Sequence, residues 1–171
     1  MSVTIRLAAA DPEWRAQYER EAGRIRAALG TSALAVEHVG STSVPNLAAK
    51  PILDILVLVP DSRDESAFVP ALVDIGFAFE RREPHWHEHR LLRGSNPAVN
   101  LHVFSVGNPE AARMVLFRDR LCSDESDRNL YESTKRELAQ QPWESVQDYA
   151  DAKSTVVEEI LARADPTRDD A

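Results

Sequence analysis

Between Pro51 and Val59 the chain is an almost unbroken run of Ile, Leu and Val, closed by Pro60 and Asp61 and interrupted by one acid, Asp54. A short apolar run bounded in this way predicts a strand covered on both faces, hence central in its sheet. Leu34 to Val39 predicts a second strand, joined to the first through Gly40, Ser41, Thr42 and Ser43. Upstream, Asp11 and Pro12 supply a cap and a first helical position for a helix running to about Leu29, where Gly30 stops it. Downstream, Phe68, Leu72 and Ile75 recur at helical spacing, predicting a helix over 64–75 ended by Gly76. Strands are predicted at 77–83, 90–93 and 98–106, the last two separated by Gly94, Ser95, Asn96 and Pro97 as in a hairpin. From Asn108 the character changes, and helices are expected over 109–122, 126–140 and 145–164, followed by a polar tail over 165–171.

Helix, strand, strand, helix, three strands and three helices predict an α+β fold, with a mixed sheet, flanking helices and a helical C-terminal half. No flexible linker separates the halves, so 1–171 is expected to form one domain, with an α/β core at 10–107 and C-terminal helices at 108–164. The formal charge of -8 disfavours nucleic acid as a partner, because non-specific affinity for it comes from Lys and Arg on phosphates. A free nucleotide needs only a local cluster of donors. No apolar run approaches the roughly 18 to 20 residues of a membrane span, and the N-terminus has no secretory pattern. The chain is therefore expected to be cytoplasmic, with no membrane partner. The lone Cys122 is read as a small apolar residue of a helix.

Chemistry concentrates on the two strands first described. The Gly40, Ser41, Thr42 and Ser43 turn follows a strand, so its N–H groups and hydroxyls are placed to converge on an anion such as phosphate, although the same composition also makes ordinary structural turns. Asp54 alternates with Ile52 and Leu56 and projects from an otherwise apolar face, where a carboxylate needs a partner. Its two readings are a buried hydrogen-bonded acid and a ligand or general base for a hard cation. Glu37 and His38 precede the turn, and His102 lies in the strongest part of the last strand. If the three strands are adjacent, Glu37, Asp54 and His102 meet. Lys50 and Arg90 are the cations expected to offset phosphate charge. His85, His87 and His89 alternate, and would share a face if extended. A surface loop is the default for the first two, with a transition-metal site on His87, His89 and His102 as a further option.

The run EHVGSTSVPNLAAKPILDILV, with LHVF, LFRDRL, YESTKRELA and YADAK further on, closely resembles the pattern of the GrpB family from Asp11 to about Ala164. That resemblance implies a nucleotidyltransferase-like α/β fold, related to the polymerase-beta-type transferases and followed by C-terminal helices. A similar domain is appended to dephospho-CoA kinase in some bacteria, where it has been regarded as a folding accessory. In the wider superfamily a glycine-serine turn precedes a strand with two alternating acids, which with a third acid hold magnesium for transfer of a nucleoside monophosphate. Gly40 and Ser41 match the turn and Asp54 matches one acid, but Ile52 and Leu56 occupy the partner positions. Asn46 and Asn100 stand where the family pattern more often has glycine and histidine.

The expected function is binding of a nucleoside triphosphate with Mg2+ and transfer of a nucleotidyl group to a small acceptor. Gly40, Ser41, Thr42, Ser43, Lys50 and Arg90 would hold the phosphates, Asp54 and His102 would be catalytic, and Asp54, Glu37 and His102 would hold the metal. The missing second acid supports an alternative, a non-catalytic nucleotide-binding or folding-accessory module.

Overall fold

The run at 51–59 becomes strand β2 (Leu53–Val59), and in the computed structural model, which describes residues 1–165, it is an interior strand. Its companions are β1 (Ala35–Val39), β3 (Ala78–Glu83), β4 (His89–Gly94) and β5 (Val99–Ser105). They form one mixed sheet in the order β1-β2-β5-β4-β3, in which only the β2 and β5 pair is parallel. Helices α1 (Glu13–Leu29), α2 (Val69–Asp74), α3 (Pro109–Ser123), α4 (Glu125–Ala139), α5 (Val146–Ala152) and α6 (Ser154–Ala164) complete an α+β fold. Among the described residues no helix is long and apolar enough to cross a membrane. The polar tail assigned to 165–171 lies, beyond residue 165, outside the described residues.

Alternation along the strands divides the core into two layers. Ile55, Val57, Leu101 and Val103 pack on one face against Trp14, Ala22 and Ile25 of α1 and against Phe68 and Leu72. Leu56 and Phe104 pack on the other against Ala111, Met114 and Val115 of α3. A third cluster joins Val44 and Leu47, from the segment between β1 and β2, to Leu121, Tyr131, Val156 and Ile160 of the C-terminal helices. Helices α3, α4 and α6 are also tied by the buried Asp127, which accepts from Arg120 at 2.7 Å and from Arg163.

Three expectations change. The helix expected over 64–75 is a 3-10 turn (Glu65–Ala67) followed by α2. Pro70 explains the break, since it has no N–H to donate and disfavours helical backbone before it. The helix expected over 145–164 is divided at Lys153 into α5 and α6. His85, His87 and His89 share no face, because β3 and β4 are joined by a turn over 84–88 in which His87 and Glu88 adopt φ of 56° and 51°.

That hairpin is anchored from behind. Arg90 is 4 % exposed and donates to Glu65 at 2.6 Å and Glu88 at 3.1 Å, while Arg82 bonds the same Glu65. The hydrogen bond from Arg82, reinforced by that from Arg90 against the opposing effect of desolvation, holds the Glu65 carboxyl down at about 2, from an ordinary 4.5. A carboxylate depressed on folding contributes stability above its unfolded value and loses it as pH falls towards the folded one. The stability difference between wild type and Glu65→Gln is therefore expected to be full above pH 4.5 and to shrink between 4.5 and 2, as followed by thermal melts; a pH-independent difference would contradict the anchor.

Candidate functional site

The site begins where β1 leaves the sheet. Val39 is paired with Asp54, and Gly40 then turns with φ of 71° so that its Cα lies against the Asp54 side chain. A Cβ on Gly40 would overlap the Asp54 carboxylate and sit 2.9 Å from Asp54 Cβ. Glycine is required here for its positive φ and for the close approach together. Ser41–Ser43 make a 3-10 turn, after which Val44 and Leu47 enter the helical cluster. Ala48 is held by α4: its N–H donates to Glu132 at 2.7 Å, and its carbonyl accepts from Lys135 Nζ at 2.6 Å. Lys135, 2 % exposed, also donates to Ser41 Oγ at 3.0 Å.

Sheet register gathers the polar groups on one face. Asp54 pairs with Asn100, His102 with Leu91, and His89 with Glu83, so Asp54, Asn100, His102, His89 and Glu83 all project the same way. They form a chain of contacts. Asp54 Oδ1 lies 3.0 Å from His102 Nε2, His102 Nδ1 lies 3.0 Å from His89 Nε2, and His89 Nδ1 lies 2.7 Å from Glu83 Oε2. Burial pushes His89 down to about 4, against the raising pull of Glu83. Three hydrogen bonds need three protons, and two neutral imidazoles supply two. One contact is then bare until a further proton completes the chain, an arrangement suited to taking up and releasing one proton beside Asp54.

The chain lies in a cleft of about 1010 Å³ that extends to α3, α5 and the break between α5 and α6. Lys50, Lys153, Arg81 and Arg93 bring positive charge to its walls, beside the carboxylates of Asp54, Glu83, Glu110 and Asp151. Burial lowers Lys135 to about 7 and Lys153 to about 8, and lowers Lys50 as well. Secondary to burial, Lys153 repels Lys135 and Glu132 attracts it, Lys50 repels Lys153, and Asp54 opposes the lowering at both Lys50 and Lys153. Partly buried ammonium groups at Lys50 and Lys153 on the cleft wall are ones whose charged form an anion would favour. Asn100 Oδ1, on the cleft wall, is buried without a hydrogen-bond partner among the described residues, as is the hydroxyl of Tyr149, whose ring lies under Lys50 and Lys153.

Of the residues selected from the sequence, Gly40, Ser41, Thr42, Lys50, Asp54 and His102 come together around this cleft. Ser43 turns back, its hydroxyl donating to Gly40 O. Glu37 does not meet Asp54. It lies two residue pairs beyond it along β1, bonds Arg118 of α3 at 2.8 Å and lines a separate cavity of about 620 Å³. Arg90 is also displaced from the expected role: paired with Val103, it points to the opposite face and is committed to Glu65 and Glu88. His87 is edge-on to Trp86 rather than beside His102, and among the described residues no three His, Cys, Asp or Glu side chains are placed to hold a metal ion. Cys122 is exposed and lines the second cavity, not the core. His38 reaches the turn by a 2.9 Å contact with Thr42 Oγ1 and stacks on Tyr18, and burial takes it down to about 4. Sequence reasoning missed Glu83, Lys135 and Lys153; a lysine one helical turn after Tyr131, on the apolar side of α4, was the available signal for Lys135.

Two outcomes follow. Gly40→Ala is expected to cost about 2 kcal/mol of stability through forced positive φ and overlap with Asp54, read by urea unfolding; a change within error would mean the turn relaxes freely. In Asp54→Asn the amide can donate the third hydrogen, so both imidazoles become fixed with their single proton on Nδ1. Nitrogen NMR of labelled histidines should then show one protonated and one bare nitrogen in each of His89 and His102, and a ring protonated on Nε2 alone would refute the proton count.

Comparison with known proteins gives this arrangement its relatives. The model of the GrpB protein family matches residues 4–163. A UPF0157 protein of Halalkalibacterium halodurans is 53% identical over 97% of this chain and 85% of its own length, and one of Streptomyces coelicolor is 46% identical over 92% and 83%. A dephospho-CoA kinase of Mycolicibacterium paratuberculosis is 29% identical over 94% of this chain, which spans 46% of that enzyme. Among solved structures, the conserved protein GrpB from Enterococcus faecalis superposes with a TM-score of 0.79 at 31% identity, covering 92% of this chain and 98% of that one. The Cid1 poly(U) polymerase with magnesium and 3'-dATP bound superposes with a TM-score of 0.55 at 13% identity over 77% of this chain and 44% of its own, a likeness of fold alone. The five-stranded mixed sheet is thus nucleotidyltransferase-like, and the chain belongs to the GrpB family.

Proposed function

We propose that this protein binds a nucleoside triphosphate in the cleft between the Gly40–Ser43 turn and the α5–α6 break, and transfers a nucleotidyl group from it to a small acceptor. The observation that carries this reading is the convergence of Ser41, Lys50 and Lys153 on a turn packed against Asp54. Lys50 and Lys153 supply charge to phosphate oxygens, and Lys135 holds Ser41 from behind. The fold shared with a magnesium- and nucleotide-bound polymerase supports it. Asp54 and His102 are the groups that would accept a proton from an acceptor hydroxyl, with His89 and Glu83 positioned to share it.

Magnesium fits this site only as an ion carried largely by the ligand. Asp54 and Asn100, whose Oδ1 has no hydrogen-bond partner among the described residues, lie on neighbouring strands and would offer it oxygens, and a magnesium ion held by one or two protein oxygens takes the rest from phosphates and water. When bound it would neutralise phosphate charge. A two-ion arrangement does not fit, since Ile52 and the buried Leu56 flank Asp54 and Glu37 is held by Arg118. That deficit favours a second reading, a nucleotide-binding or folding-accessory module without transfer chemistry.

Thermal-shift measurements with the four ribonucleoside triphosphates, with and without magnesium, separate the readings, because a ligand that binds only the folded state raises its stability. A magnesium-dependent rise that Asp54→Asn abolishes is the expected result. A rise that ignores magnesium and survives Asp54→Asn would favour the binding module, and no rise with any nucleotide would defeat the transferase reading and nucleotide binding with it, leaving only the folding-accessory role.

A further inference from the structure

Trp86 is the one large aromatic side chain that the cleft exposes without using it in the fold's interior. It lies in the β3–β4 turn, 44% exposed, and lines the same cavity as Asp54, Lys50 and Lys153. Its ring nevertheless has three aromatic neighbours. His87 and His89 meet it nearly edge-on at centroid distances of 5.3 and 5.1 Å, and Phe104 lies tilted at 5.9 Å beneath the turn. The backbone closes around it: Trp86 N–H donates to Glu83 O, and His89 N–H donates to Trp86 O, both at 3.1 Å. The indole is thus packed in part against neighbouring rings and in part exposed where it lines the cleft. Met114 and Val146, the latter 47% exposed, add apolar surface to the same cavity.

The cleft therefore has two chemistries. Its walls carry the ammonium groups and the hydroxyl turn, and also a partly packed indole and aliphatic side chains. A ligand that satisfies both is an anion joined to a flat aromatic ring, and inorganic phosphate or a sugar phosphate satisfies only the first. Between Trp86 and Asp54 lie the rings of His89 and His102, whose centroids are 5.3 Å apart. An aromatic ring stacked on Trp86 would place whatever links it to the anion directly over the proton-handling chain.

We propose that Trp86 is the stacking platform for the base of the nucleotide and the main determinant that distinguishes a nucleotide from other polyphosphates at this site. This rests on the nucleotide reading above. Stacking is tolerant of the base, since every base offers a π-face, and its loss on truncation of the aromatic partner typically weakens binding by about ten-fold or more. The ring is half-exposed and its backbone hydrogen bonds do not depend on the side chain, so Trp86→Ala and Trp86→Phe are expected to fold.

The experiment is a set of calorimetric titrations of wild type, Trp86→Phe and Trp86→Ala with magnesium ATP, GTP, CTP and UTP, and with magnesium tripolyphosphate as the ring-free probe. Nucleotides should bind wild type more tightly than tripolyphosphate and quench its tryptophan fluorescence. They should lose about ten-fold or more in affinity in Trp86→Ala, with an intermediate loss in Trp86→Phe, while tripolyphosphate affinity stays unchanged across the three proteins. Nucleotide affinity that is the same in all three proteins would overturn the platform and leave the nucleotide reading standing. Equal weakening of nucleotides and tripolyphosphate would show that Trp86 supports the cleft rather than contacts the base, which also overturns it. Failure of tripolyphosphate and nucleotides alike to bind wild type would remove the nucleotide reading itself, and the platform with it.

Discussion

Both backbone polar groups of Ala48 are satisfied by one helix, its N–H by Glu132 and its carbonyl by Lys135. The segment between β1 and β2 runs through the interior, with Leu47, Ala48 and Ala49 at 2% exposure or less, where an unpaired backbone group costs about 1–3 kcal/mol. Side chains three residues apart on α4 lie on one face of the helix, which is the spacing needed to bracket a single residue. The same lysine reaches Ser41, so the helix sets the position of the turn as well as of the segment that follows it. The β1–β2 pairing sets the Gly40–Ser43 turn against Asp54 and α4 holds its serine from the other side, so the two halves of the chain are in that sense one site.

The charge distribution follows from this construction. A chain with a formal charge of -8 builds a cleft to which Lys50, Lys153, Arg81 and Arg93 all contribute. The acidic surplus lies elsewhere, in ion pairs such as those of Glu65, Asp127 and Glu37 and on exposed helix faces. The cleft itself is balanced, with Asp54, Glu83, Glu110 and Asp151 beside those four cations, so any attraction for an anion rests on where Lys50 and Lys153 stand rather than on net charge, since charges lining a cleft act at short range.

Much of the sheet was readable from alternation. The apolar run at 51–59 and the position of Asp54 within it depend only on local pattern, as do the glycine stop after α1 and the hydroxyl turn. The chain of Asp54, His102, His89 and Glu83 was only half readable. That His102 faces Asp54 required knowing that β5 lies parallel beside β2, and the position of His89 required knowing that residues 84–88 turn rather than extend. Arg90 and Glu37 were misplaced for the same reason, since a strand residue's face is meaningful only relative to the register of its neighbour. Lys135 and Lys153 were hidden differently. In YESTKRELA and YADAK each reads as an ordinary charge on an amphipathic helix, and its burial comes from a loop more than eighty residues away in the chain or from a helix break that no proline or glycine marks.

The sheet is thin enough that its two sides are mechanically one. Arg82 and Arg90, both bonded to Glu65, hold the β3–β4 hairpin from the face opposite the cleft, while His89 and Trp86 of that hairpin form the cleft wall. The aromatic wall is therefore positioned by an ionic tether that no ligand in the cleft can touch. Charge reversal at Glu65 would tilt a surface on the far side of the sheet without altering any residue that lines it, which separates the evolution of this pocket's shape from that of its chemistry.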